Sequence, residues 1–175
     1  MATTTWAIDP THSEIQFKVK HLVISTVTGS FKSFQGTVEA DNEDFDGATV
    51  KFAADVASID TNQTQRDEHL KSADFFDAAT YPHLSFEGKL AKKSGDAYTL
   101  KGDLTVKHIT KPFEFDVEYG GNMTDFYGNN KSGFEIAGKI NRKEFGLEWS
   151  AVTEAGGVVV GDEVKLIANV QVVKQ

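Results

Sequence analysis

Apolar and polar residues alternate along most of this chain with the period of two that marks strands with one buried face. In residues 13–23, Ile15, Phe17, Val19 and His21 share one side, and Glu14, Gln16, Lys18 and Lys20 the other. Residues 31–41 set Phe34, Gly36, Val38 and Ala40 against Gln35, Thr37, Glu39 and Asp41. Phe31 breaks that parity, which predicts a bulge near Ser33. Third, residues 48–58 direct Val50, Phe52, Ala54 and Val56 inward, and a fourth run carries Leu84, Phe86, Gly88 and Leu90. Residues 97–107 align Tyr98, Leu100, Gly102, Leu104 and Val106, with His108 continuing the same parity. Phe113, Phe115, Val117 and Tyr119 mark a sixth strand over 112–120, and Phe134, Ile136, Gly138, Ile140 and Arg142 a seventh over 133–142. The eighth, 163–173, carries Val164, Leu166, Ala168, Val170 and Val172.

The period changes once. Between Asp60 and Glu87, the residues His69, Leu70, Ala73 and Phe76 recur at helical spacing, and Thr64 with Asp67 forms a weak capping box. Pro82 then returns the preceding residue, Tyr81, to an extended conformation. One short helix therefore interrupts the connection between the third and fourth strands.

Eight sequential strands, each with one apolar face, fit an all-β antiparallel meander, and closing it into a barrel removes the exposed edges. No repeat, linker or low-complexity segment divides residues 1–175, which reads as one domain. Small residues on the inward parity (Gly36, Ala40, Ala54, Gly88, Gly102, Gly138, Ala168) fit either an internal cavity or the relief of barrel corners. If the meander is antiparallel throughout, the odd strands all finish at one end. The connections there, 22–30, 59–83, 108–111 and 143–162, carry Leu22, Val23, Ile24, Leu70, Phe75, Phe76, Phe145, Leu147 and Trp149. Those at the other end, 42–47, 91–96 and 121–132, are polar and glycine-rich, so the odd-strand end is the expected mouth.

The predicted ligand-binding wall comprises Phe17, Val19, Phe34, Phe52, Ala54, Phe86, Leu104, Val106, Phe115, Phe134 and Ile136, joined at the mouth by Leu70, Phe76, Leu147 and Trp149. His21, His108 and Arg142 each end an odd strand on the inward parity, so they are expected to converge beside that mouth. A buried guanidinium needs a partner. Arg142 is therefore expected to meet a carboxylate, a carbonyl or an anionic ligand, either in an internal pair with Asp67, Glu68 or Asp74 of the helical insert or as the anchor of a ligand head group.

Composition narrows the chemistry. Thirteen phenylalanines are unusual for 175 residues, and most sit on strand positions. A formal net charge of −8 disfavours nucleic acid or an anionic membrane as partner. The absence of cysteine excludes disulfides and thiolate chemistry. MATTTWAIDP lacks a basic segment followed by an apolar run, and no apolar stretch reaches the roughly 20 residues of a membrane helix, so a cytoplasmic location is expected.

No catalytic or metal constellation stands out. Asp9, His12 and Ser13 in DPTHS are adjacent in sequence, as triad partners rarely are, and fit a turn leading into a strand. The five histidines lack i, i+4 spacing, and His21 with His108 is the best metal pair they offer; no metal is expected. Arg66, Asp67 and His69 form the most reaction-like cluster, but their spacing also suits helix capping and a charge pair within a helix.

The segments WAIDPTHSEIQFKVKHL, SFKSFQG, SIDTNQTQRDEHLKSADFFDAATYPHLSF, LKGDLTVKHITKPF and INRKEFGLEW together resemble the YceI-like family. RDEHLKSADFF and INRKEFGL are the specific blocks, and the likeness spans essentially the whole chain. The resemblance implies a lipocalin-like barrel that binds a polyisoprenoid or a related long-chain amphiphile, as carrier or storage protein, with a role in isoprenoid quinone metabolism one option. It implies no required cofactor beyond that ligand and no established catalysis. An enzyme acting on the bound lipid through Arg66, Asp67, His69 or His108 is the alternative. A homodimer through an outer barrel wall is compatible with it. Two departures stand out: many members carry an export signal, and Lys131 occupies a position where an arginine is expected before SGF.

Overall fold

The computed structural model describes residues 3–21, 25–41, 44–73, 75–147 and 160–175, with residues 21 and 160 described by backbone alone. Its strands are β1 (Thr4–Ile8), β2 (Glu14–His21), β3 (Ser25–Phe31), β4 (Phe34–Ala40), β5 (Thr49–Asp55) and β6 (Ile59–Asp60). After helix α1 (Thr64–Lys71) follow β7 (His83–Ser94), β8 (Ala97–Val106), β9 (Ile109–Thr124), β10 (Asn130–Asn141) and β11 (Val160–Lys174).

All the strands join one antiparallel sheet in the order β1-β4-β5-β7-β8-β9-β10-β11-β2-β3-β6, and an added β1–β11 pairing closes it. Three of its walls are broken in two. β1 continues into β2, β3 into β4 and β5 into β6, so the closed ring has eight walls, as the alternation predicts. The break between β3 and β4 falls at Lys32–Ser33, which is where the parity of Phe31 fails in the sequence.

Two strands differ from the expectation. β1 was hidden in what reads as a lead-in turn, and its Trp6 pairs with Val38 and Lys174. Residues 25–31, expected as part of a loop at the mouth, form β3 instead and pair in register with β2, from Ile15↔Phe31 to His21↔Ser25. The helix starts at Thr64, where it was expected, but is capped and ends differently. Gln63 is the N-cap and makes no side-chain cap bond, and the helix ends at Lys71, leaving Ala73 and Phe76 beyond it.

The paired glycines resolve toward close packing. Gly88 and Gly102 face each other across β7 and β8, and a Cβ on Gly102 would lie 2.0 Å from the Glu87 carbonyl oxygen. Neither lines the central cavity; they let two backbones approach where the sheet curves.

The end expected to be only polar turns is sealed from within. Phe45 is 1% exposed and its ring centroid lies 5.1 Å from those of both Trp6 and Phe134. Tyr119 packs against Phe45 and Phe134, and the Tyr98 hydroxyl donates to the Asp44 carbonyl. Phe45 holds φ at +65°, a left-handed conformation that costs a side-chain-bearing residue roughly 1–2 kcal/mol. Burying a phenylalanine side chain recovers about 1.5–3 kcal/mol, so the strained turn is retained. Phe45→Ala removes the plug, and a loss of about 3–5 kcal/mol is expected in chemical denaturation.

Candidate functional site

The inward faces of the walls enclose a cavity of about 210 Å³. It extends from Leu70, Phe76 and Arg142 beside the helix to Val38, Val117 and Val172 above the aromatic plug. Along β11 its lining runs from Val164 to Val172, about 27 Å of strand and about 20 Å of barrel axis at ordinary rise and tilt. Gln16, Thr37 and Arg142 are its polar lining residues among those described. Such a chamber offers few groups to hydrogen-bond a large polar solute, whereas an alkyl chain meets carbon over most of its length.

Of the residues named from sequence, Phe17, Val19, Leu70, Phe52, Phe76, Phe86, Leu104, Val106, Phe115, Phe134, Ile136, Arg142 and Leu147 line this cavity. Phe34 does not; its ring packs 6.3 Å from that of Phe52 and borders a groove on the outer surface. Ala54 is buried against Phe17, Phe31 and Ile59 without reaching the cavity. His108 is exposed, with its ring 5.8 Å from Tyr81. Its strand parity is lost because β8 stops at Val106, and Lys107 and His108 form a tight hairpin turn in which Lys107 takes φ +58°. The expected convergence of His108 with Arg142 over a ligand therefore does not occur. The His21 side chain and Trp149, with Leu22, Val23, Ile24 and Asp74, lie outside the described residues.

The cavity also uses residues the sequence left unnamed. Ile8 belongs to the unrecognised β1. Phe31 was set aside for its broken parity. Phe75 was assigned only to the mouth connections. Ile15, Val164 and Leu166 stood on the inward parity all along.

The two specific sequence blocks are the closures at the helix end. In the first, the Asp67 carboxylate accepts the Thr61 amide at 2.8 Å, while Arg66 Nε donates to the Thr61 hydroxyl at 2.8 Å and a terminal nitrogen to its carbonyl at 2.6 Å. That lock fixes α1 over the barrel. Beyond the helix, the Phe76 amide donates to the Leu70 carbonyl at 3.0 Å, and Phe75 and Phe76 turn into the cavity. The Phe75 ring lies edge-on to His69 at 5.1 Å. Arg66 and Asp67 thus hold the loop through Thr61, which their spacing did not announce, and do not line the cavity.

In the second block, the Asn141 side chain accepts the Lys143 amide at 3.0 Å, and Gly146 at φ +78° closes a single 3-10 turn, Arg142–Phe145. This turn drops Arg142 inward, where it is 2% exposed. Its Nε donates to the Gly161 carbonyl at 2.9 Å, Nη1 to the Leu147 carbonyl at 2.5 Å, and Nη2 stands 3.8 Å from Asp162. Burial pushes the guanidinium pKa down, and the Asp162 carboxylate opposes that shift. Among the described residues its partners include these main-chain carbonyls and Asp162, while Asp67 is engaged with Thr61 and Glu68 with Lys71. Arg142 is therefore a staple across the mouth that also borders the cavity.

On the flank of the barrel, Asp9 accepts the Thr11 hydroxyl at 2.6 Å and the Thr11 amide at 3.0 Å, and stands 2.8 Å from His12 Nδ1. Lys131 bridges Asp9 at 3.3 Å and Asp125 at 3.5 Å, one contact to each, as a point charge can. The Thr11 hydroxyl above all, then His12, the Thr11 amide and Lys131, hold the Asp9 carboxyl well below the usual carboxylate range against the opposing effect of burial. Among the described residues no group of three metal-ligating side chains comes together, and no helix is long and apolar enough to cross a membrane.

The chain is a closed antiparallel barrel with an apolar-lined interior and one short helix at one end. The YceI-like domain family matches residues 6–172, and the chain belongs to that family. A UPF0312 protein of Staphylococcus aureus (strain bovine RF122 / ET3-1) is 37% identical over 171 residues, covering 96% of both chains. Protein YceI of Escherichia coli O6:H1 is 37% identical over 164 residues, 94% of this chain and 83% of that one. Among solved structures, the YceI protein of Campylobacter jejuni superposes with a TM-score of 0.76 at 30% identity, over 89% of this chain and 90% of that one. A polyisoprenoid binding domain from Saccharophagus degradans shares the fold, with a TM-score of 0.69 at 12% identity over 97% and 98% of the two chains.

Two outcomes test the closures. Arg142→Met strands the Gly161 and Leu147 carbonyls, and a loss of about 2–4 kcal/mol is expected in urea unfolding. For Asp9, a folded pKa below the unfolded value means that ionisation contributes stability above about pH 4 and that this contribution fades as pH falls toward the folded value. Asp9→Asn should therefore be less stable than the parent at neutral pH, with the difference narrowing steadily below about pH 4 in paired denaturation curves.

Proposed function

We propose that this protein carries or stores a long-chain amphiphile of the polyisoprenoid class, with the apolar tail inside the barrel. The observation that carries this reading is the elongated cavity whose lining is almost wholly aliphatic and aromatic. The shared fold of the Saccharophagus polyisoprenoid binding domain supports the ligand class. Isoprenoid quinones belong to the same class and would be held in the same way.

Magnitudes favour the tail as the source of affinity. At about 0.8 kcal/mol for each buried methylene, roughly 20 buried carbons contribute about 16 kcal/mol gross. Association and ordering offset about 4–15 kcal/mol of that, and the remainder is useful affinity without any bond to the head. Arg142 is already satisfied by protein groups, so it needs no anionic head to justify its burial. The wall sets affinity, and the head group contributes orientation.

Organic extraction of the purified protein followed by mass spectrometry is expected to release a polyisoprenoid lipid. Absence of any lipid, together with no rise in melting temperature on adding geranylgeraniol, would overturn the reading. Ala168 lines the cavity and is small, so Ala168→Trp should fill the tail's space. We expect at least about tenfold weaker geranylgeraniol binding from the few buried methylenes it displaces, with the folded state retained by circular dichroism.

A further inference from the structure

The barrel wall has a gap on its flank. The β2–β3 ladder runs upward from Ile15↔Phe31, and the β1–β4 ladder runs downward from Ala7↔Thr37. Between them, the chain from Ile8 to Ser13 and the chain from Lys32 to Gly36 exchange no ladder pairs. Each break is instead tied to its other neighbour. The Asp9 amide donates to the Gln171 carbonyl at 2.8 Å, and the Ser13 hydroxyl accepts the Gln171 amide at 2.9 Å, drawing one edge toward β11. On the opposite edge, the Asp55 amide donates to the Ser33 carbonyl at 2.9 Å, and the Ser33 hydroxyl to the Asp55 carboxylate at 2.6 Å, drawing it toward β5. Backbone pairing is therefore interrupted over this stretch, with the Ile8 side chain packed over Gly36 at its end.

A groove of about 410 Å³ lies over this gap on the outer surface. Ile15, Gln16 and Phe31 line both the groove and the inner cavity, so they form the shared wall between them. Outside that wall the lining turns polar, with His12, Glu14, Ser30, Lys32 and Asn169. His12 is oriented by its Nδ1 contact with Asp9 at 2.8 Å, which leaves the far edge of the ring to face the groove.

We propose that this flank opening is the head-group site and the passage for the ligand: the tail lies in the barrel, and an uncharged oxygen head sits in the groove. The proposal rests on the amphiphile reading above. The head class follows from the charges. Lys32 supplies a donor and His12, whose Nδ1–H faces the Asp9 carboxylate, offers Nε2 as an acceptor, while Glu14 lies in the same groove. A hydroxyl can use both, accepting from Lys32 and donating to His12, and a quinone-type carbonyl can accept from Lys32, whereas a diphosphate would face the Glu14 carboxylate. Side-chain rotation of Ile15 and Phe31, the shared wall, opens the passage.

The test uses the full chain stripped of lipid, with three probes of equal tail length: geranylgeraniol, geranylgeranyl diphosphate and the hydrocarbon phytane. The intact protein should bind the alcohol more tightly than the diphosphate. Combined His12→Ala and Lys32→Ala substitutions should weaken the alcohol by about fivefold to tenfold, the effect of one or two lost hydrogen bonds, and leave phytane within about twofold. Ile15→Ala should speed release of the alcohol in stopped-flow exchange, and Ser30→Trp, which adds bulk instead of removing it, should slow it. Unchanged release rates in both variants, or an equal loss of alcohol and phytane in the double variant, would overturn the opening while leaving tail binding intact. If the parent protein binds none of the three probes, the amphiphile reading itself falls and takes this one with it.

Discussion

Closure of the sheet is the constraint on which everything else depends, and β11 carries it. One strand pairs with β10 along nearly its whole length on one side. On its other side it is shared, with residues up to Asn169 pairing with β2 and residues from Val172 pairing with β1. No ordinary hairpin neighbour could join both halves of a broken wall. Because β11 does so, the barrel has no free edge along that seam, and the inward side chains of all the walls face a single space.

The two ends of that space are closed by different means. At one end, strands and a turn interlock through Trp6, Phe45, Tyr119 and Phe134, all fixed by pairing or by mutual ring contact. At the other, the closure comes from segments outside the ladder. α1 is held through Thr61, Phe75 and Phe76 follow it inward, and Arg142 draws the Gly161 and Leu147 carbonyls together. The glycine pair at Gly88 and Gly102 tightens the wall between them and leaves the interior volume to the large side chains.

The barrel was legible because alternation is a local property, and the number of walls followed from counting it. β1 escaped because its five residues end one residue short of Pro10, and β3 because Ser25 and Gly29 dilute its apolar face. The aromatic plug was illegible for a different reason. Phe45 sits among turn-forming residues, and only the ring contacts across the barrel reveal that it points inward. His108 was misplaced by two residues of strand that became a hairpin turn. Arg142 was placed correctly as an inward cation that meets carbonyls, yet which carbonyls, those of Gly161 and Leu147, no residue pattern can announce. Most of the apolar wall could be read from sequence, whereas the polar surroundings could not, because they depend on contacts between distant segments.

The sealed aromatic base has a consequence for traffic. A tube open at both ends could conduct its cargo, taking it in from one compartment and discharging it into another. A flask cannot. Whatever occupies this chamber cannot pass straight through it from end to end, so loading and delivery both take place on the side away from the plug.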